Sequence, residues 1–303
     1  MARQLTVRLL RENVAEWNRL REKTAHLEKE VNLVDADLSR VDLSDANLSH
    51  ARLTGARFTE SDLMRADFGH SDLRGTNFYG ADLTRACFTK TCLTDADFTE
   101  ARFIQVDLSG MDLREATFSR AVFTGAKLRG ANLDKGVFSG SSFHMADLTG
   151  ASLRGASLCK ARFTQATLYE ADLYTADLRA ASLFMANFRR ANLSKANLQG
   201  VDMIGVDLGN ASLNNVVGVV LLPIADPRGY TFPYATRMPS GEIRVRSGCR
   251  DFTMREAQEH WGEGYGGERW IGDMWLHALK WLGSCPEARR ALEDSCRIVG
   301  GTC

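Results

Sequence analysis

Chemistry in this 303-residue chain has few places to sit. Cys249, Glu256, Glu259 and His260 form a stretch where thiol, carboxylate and imidazole fall near each other in sequence. General acid–base or thiol chemistry draws on that set. Cys249, His260, His277, Cys285, Cys296 and Cys303 all belong to the C-terminal part, yet no C-x₂₋₄-C or H-x₃₋₅-H pair occurs among them. The spacing of a structural zinc site is therefore missing. Ordinary buried thiols and an interfacial histidine are the simpler reading. No phosphate-binding loop, dinucleotide fingerprint or G-x-S-x-G turn is present,. The expectation is a protein that is not an enzyme and takes neither cofactor nor metal. A small activity resting on those first four residues is kept as a remote alternative.

The second chemical resource is carboxylate. Asp42, Asp62 and Asp82 recur at one fixed interval, and Asp67 and Asp107 are separated by twice that interval. Their meaning depends on the backbone beneath them. From Leu33 to Leu213 every fifth residue is Leu or Phe, the exception being Met203. Two residues earlier stands a small residue such as Ala36, Ala46, Ala56 or Ala66, and just before the anchor an Asp or Asn, as at Asp37 and Asn132. On an α-helix these anchors would smear around the whole surface, and on a flat strand they would alternate between faces. A chain that bends once per five residues buries them all. If each bend is about a quarter turn, four units close one coil and residue i lies over residue i+20, at the roughly 4.8 Å spacing of paired strands.

Columns read at that spacing agree with themselves. Leu53, Leu73, Leu93, Leu113 and onward to Leu213 is all leucine, while Phe58, Phe78, Phe98, Phe118 and Phe138 form an aromatic run. The pattern resembles the pentapeptide-repeat family over about 181 of the 303 residues. The resemblance implies a mainly β fold: a right-handed quadrilateral β-helix of about nine coils. The expected organisation is an N-terminal amphipathic capping helix over 1–32, the β-helix over 33–217 and a small α+β module over 218–303. The apolar stretch 214–224 is expected to close the last coil.

Within that frame each repeat aspartate has a structural reading, as acceptor of turn amides. It also has a functional one, as part of a negative wall formed by Asp42, Asp62, Asp82, Asp67 and Asp107. Residues 33–115 hold 15 acidic and 9 basic side chains, whereas 116–213 hold 7 and 11, so the rod is acidic first and basic beyond. Some members of the family block type II topoisomerases such as DNA gyrase by imitating duplex DNA. Here only half the rod is acidic, and no loop interrupts the beat. Cys87 and Cys92 occupy outward slots on neighbouring sides, where no bond between them is expected.

The C-terminal module reads as a hairpin, Tyr230–Tyr234 and Ile243–Ser247 around Pro239–Glu242, followed by helices. Thr253 to Glu256 has the form of a capping box. Ile271, Met274, Trp275, Ala278, Trp281 and Leu282 fall on one helical stripe,. That stripe either packs on the module's own hairpin or pairs two chains or docks a partner helix. The function expected is a non-enzymatic interaction protein. Its concrete form is an inhibitor or decoy that presents a partly acidic rod to a nucleic-acid-binding protein; the alternative is a scaffold whose C-terminal module dimerises or docks. With 38 basic and 38 acidic side chains, direct nucleic-acid binding is not expected,. No run of 18 apolar residues occurs, early charges interrupt any leader-like segment, and seven irregularly spaced cysteines suit a reducing, cytoplasmic setting,.

Overall fold

A computed structural model describes residues 2–24, 31–203, 206–218, 220–221, 234–237, 243–247, 250–253 and 255–256. Its central part is a stack of square coils. Each side is a strand fragment centred on the Asp/Asn slot and bridged in parallel to the equivalent slot of the next coil, as Asp37 to Arg57 and Asp42 to Asp62. The first such pair is β1 (Val31–Asn32) with β2 (Ala51–Arg52). Anchor amides donate to carbonyls of the following coil, as Leu38 to Arg57 at 2.8 Å, and outward-slot amides donate to the preceding coil, as Arg57 to Ala36 at 2.8 Å. The ladder is interrupted at one rung among the described residues, between Cys92 and Asp112.

Corners are tight turns. The anchor's carbonyl accepts the amide of the next small residue, as Leu33 from Ala36 at 3.0 Å, and the residue before the small one has positive φ, 53° at Asp35. That is the hydrogen bond and the left-handed position of a type II turn. The Asp or Asn before the anchor supports the corner: Asp97 Oδ1 accepts the Thr99 amide at 2.9 Å, and Asn77 Oδ1 that of Tyr79 at 2.9 Å.

Anchors and small residues both point inward and are almost wholly buried. Phe78, Phe98 and Phe118 stack ring on ring at 5.0 Å, one coil apart. Leu48, Phe68 and Phe88 are consecutive rungs of another column, each no more than 1% exposed. Where Ser replaces Ala inside, its hydroxyl finds a carbonyl: Ser61 donates to Leu38 at 2.7 Å and Ser141 to Phe118 at 2.6 Å. A buried hydroxyl without such a partner would be destabilising.

The N-terminal segment differs from the single helix read from its periodicity. It forms α1 (Ala2–Glu12) and α2 (Val14–Thr24). Asn13 separates them because its side chain accepts the Glu16 amide at 2.9 Å, the bond of a helix N-cap,. α2 meets the groups that the first coil has no earlier coil to satisfy. Trp17 Nε1 donates to the Asn47 carbonyl at 2.8 Å, Asn18 donates to Asp45 at 2.9 Å, and the Asn18 Oδ1 accepts the Asn47 amide at 2.8 Å. Leu10 and Trp17 are buried against the same coil core.

At the other end the last rung joins Asn197 to Val217. Of the stretch 214–224 expected to close the final coil, residues 214–217 do so, the Asn214 carbonyl accepting from Lys195 at 2.8 Å and that of Val217 from Leu198 at 2.7 Å, while β3 (Val220–Leu221) joins an antiparallel sheet with β4 (Tyr234–Arg237), β5 (Ile243–Ser247) and β6 (Arg250–Thr253), in that order. Val220 and Leu221 pair with Ala235 and Tyr234 of β4. β4 and β5 pair antiparallel, Tyr234 with Arg246 through Arg237 with Ile243; the expected turn at 239–242 and the expected strand residues 230–233 lie outside the described residues. Thr253, expected to open a helix, is the last residue of β6, and Arg255 and Glu256 just beyond it are helical.

Candidate interaction surface

Because the coil interior is filled by anchors, what varies along the rod lies in three positions of each five: the outward slot and the two corner residues. Asp42, Asp62 and Asp82 occupy one side on three consecutive coils. Asp67 and Asp107 share the next side, with Cys87 between them. All five aspartates accept a turn amide two residues on: Ser44 at 3.0 Å, Met64 at 3.0 Å, Thr84 at 3.0 Å, Gly69 at 2.8 Å and Ser109 at 3.1 Å. The structural reading of these residues is therefore satisfied at every one of them, and each carboxylate still presents an oxygen outward.

Their electrostatic surroundings divide them. Asp82 meets the Arg102 guanidinium at 3.2 Å, and Asp107 the Lys127 ammonium at 3.6 Å. Asp42 and Asp62 make no ion pair among the described residues. Arg65 forks Nε and one terminal nitrogen onto Asp45 at 2.6 Å. The Ser44 amide and hydroxyl hold the Asp42 carboxyl below its ordinary range, and bonds from Ser109, with Lys127 beyond, do the same for Asp107. The net negative wall is thus concentrated at Asp42 and Asp62, and Asp82 is partly neutralised.

Periodicity reasoning missed a related feature. Charged pairs link neighbouring coils: Arg40 with Glu60, Arg57 with Asp37, Arg120 with Glu100 and Lys135 with Glu115, each pair separated by one full coil. Opposite charges at that spacing were present to be found, because the coil length was already known. A second missed feature is apolar. Met145 and Met185 sit exposed at one corner column, with Phe184 beside Met185, 38% exposed. Apolar residues in corner slots were its signal. His50 and His70 stack face to face at 4.7 Å on another corner.

Other sequence candidates do not meet here. Ile271, Met274, Trp275, Ala278, Trp281 and Leu282, and also Cys249, Glu259 and His260, lie outside the described residues. Glu256 is described and exposed. Cys87 and Cys92 are exposed free thiols. Among the described residues no three of His, Cys, Asp and Glu gather as a metal set, and no helix is long and apolar enough to cross a membrane.

A family model described as pentapeptide repeats matches residues 29–60, 61–100, 101–140, 146–183 and 181–217. Among solved structures the chain is similar to HetL, a pentapeptide repeat protein involved in heterocyst differentiation regulation from the cyanobacterium Nostoc. The two are 32% identical, over 70% of this chain and 96% of that one, with a TM-score of 0.32. A pentapeptide repeat protein from the Arabidopsis thaliana thylakoid lumen is 37% identical over 31% of this chain and 66% of its own, with a TM-score of 0.31. QnrB1, a plasmid-mediated fluoroquinolone resistance protein, is 18% identical over 62% of this chain and 87% of its own, with a TM-score of 0.35. A search of curated proteins finds no match.

Proposed function

The chain belongs to the pentapeptide-repeat family, and from that premise we propose that it is a non-enzymatic interaction protein, a rigid rod that offers a fixed array of side chains to a protein partner. In its concrete form it is a decoy. The acidic coils near the N-terminus occupy a cationic, nucleic-acid-binding site on that partner. The observation carrying this reading is the pair Asp42 and Asp62, one rung apart, held outward by turn amides and without an ion pair among the described residues. Inward positions are taken up by packing, so a partner reads only outward ones. Rigidity supports the reading too, since prepositioned charges lose little freedom on binding.

The test separates charge from fold. Asn47 and Asn77 occupy the same slot as these aspartates and accept the same amide, at 3.2 and 2.9 Å. The triple change Asp42→Asn, Asp62→Asn, Asp82→Asn therefore keeps the corners and removes three charges. Partners captured from native lysate on the intact chain should fall away between low and moderate salt, as screened charges do, and should bind the triple variant several-fold less. Capture that ignores both salt and the triple change sinks the decoy.

A further inference from the structure

Among the described residues three histidines occur, His50, His70 and His144, all at corners of the rod. They are not held alike. His144 is half-buried, and its Nδ1 meets the Thr164 carbonyl of the next coil at 3.2 Å. His50 and His70 are exposed, and no ring nitrogen of either forms a hydrogen bond among the described residues. What they meet is each other: the rings stack with centres 4.7 Å apart and planes within 4°. The backbone beneath sets this alignment. The His50 amide donates to the Gly69 carbonyl and the His70 amide to the Thr89 carbonyl, both at 2.8 Å. Both residues hold a left-handed φ, 53° and 60°. The ladder thus places two imidazoles side by side, one coil apart, with their nitrogens uncommitted.

Imidazole is the commonest metal ligand among side chains, and two of them in one place form a chelate. Zinc at about 2.0–2.1 Å from each of two nitrogens spaces them roughly 3.3 Å apart in a tetrahedral arrangement. Rings 4.7 Å apart reach that spacing when each leans inward by roughly 0.7 Å, a small rotation for an exposed side chain. The surroundings select the kind of ion. The corner positions of these three coils hold Ser49, His50, Gly69, His70, Thr89 and Lys90, with no carboxylate among them. Calcium and magnesium, which take carboxylate and carbonyl oxygens, are poorly served there. Lys90, on the next rung of the same corner, disfavours any ion held by charge alone,. An ion held through its bonds to nitrogen remains. A structural zinc site takes four protein ligands and this corner offers two, so water fills the other positions.

We propose that His50 and His70 form a surface chelate for a divalent transition-metal ion of the zinc type, which clips the first coil to the second. The clip lies beside the N-terminal cap, since Arg21 of α2 donates to the carbonyl of Ser49, next to His50. The two imidazoles come together only when the coil closes, so the ion binds the folded rod and stabilises that end. The corner includes neither Asp42 nor Asp62 and stands or falls apart from the decoy reading.

Ring-nitrogen NMR of the full chain, titrated with Zn²⁺ alone at a slightly alkaline pH where imidazole is neutral, tests this. The His50 and His70 signals should shift together and saturate, while those of His144 stay in place. Asn is among the non-glycine residues best suited to a left-handed corner, so His50→Asn and His70→Asn keep the fold. Either change should weaken the zinc response of the remaining histidine about tenfold, because the second bond of a chelate forms at high effective concentration. Zinc should also raise the melting temperature of the parent chain, and that rise should shrink in each variant. His50 and His70 signals that follow different zinc concentrations, or a His70 response unchanged by His50→Asn, would overturn the chelate. So would rings that stay unmoved while zinc reaches millimolar.

Discussion

A corner residue of this rod must accept a left-handed backbone whatever its side chain. Gly75 and Gly125 do so naturally at φ 63°, but Arg40, Glu100, Ala180 and even the β-branched Thr175 hold φ between 54° and 62°. A non-glycine residue there is strained by about 1–2 kcal/mol, and a β-branched one is a true outlier. Glycine brings its own entropic loss of about 0.5–1 kcal/mol. Thr175→Gly should therefore stabilise the rod by up to about 1 kcal/mol, read as a rise in urea midpoint at unchanged m-value. The reverse experiment grades the same effect. A Cβ on Gly75 meets nothing within 4 Å, so Gly75→Ala should cost only the backbone strain, about 1 kcal/mol,. On Gly55 it would run into the Asp35 carboxylate, and Gly55→Ala should cost more. Gly55 and Gly125, at φ 68° and 63°, are residues whose own preference suits such a corner,. Arg40 and Thr175 have no such preference, and their φ is imposed by the coil.

At the scale of the element, the coil is stabilised by its columns. Phe98 is fully buried, stacked at 5.0 Å on both Phe78 and Phe118 and edge-on to Phe103 at 5.1 Å. Phe98→Ala removes a large apolar side chain from a site whose backbone is pinned on both sides by ladder bonds, so the void has little room to collapse. A loss of about 3–5 kcal/mol is expected, measurable by chemical denaturation, against less than about 1.5 kcal/mol for the volume-conserving Leu53→Met. Columns were legible from the sequence because like residues recur at the spacing of one coil. The break between α1 and α2 was less so. Asn13 sits in a run whose apolar residues keep helical spacing, and the side-chain bond to Glu16 that stops the helix leaves no trace in that periodicity.

Over the whole molecule, charge is distributed along the rod and much of it is paired. Arg57 holds the Asp37 carboxyl down from an ordinary 3.8 to about 2, and Arg74 does the same for Asp72. A carboxyl with a lowered folded-state value contributes stability that is fully present above its unfolded value and is lost as pH falls through the lowered one. Melting temperature should accordingly hold from pH 7 to about 4 and fall between about 4 and 2. Asp37→Asn with Asp72→Asn, which keeps the turn acceptor, should flatten that fall. An equally steep acid limb in the double variant would show that these pairs, exposed as they are, contribute too little to matter.

The five-residue spacing of Leu and Phe by itself determined the square coil, its inward residues and which aspartates share a side, because no other backbone buries such a period. It could not determine how charges on neighbouring coils find each other, since Asp82 is paired with Arg102 of the following coil while Asp42 meets no such partner among the described residues. Nor could it show that the coils part between Cys92 and Asp112, where Leu93 and Leu113 keep the beat without a break. Side-chain period fixes what faces inward. Whether two strands close their hydrogen bonds depends on the packing of every coil around them, and that exists only in three dimensions.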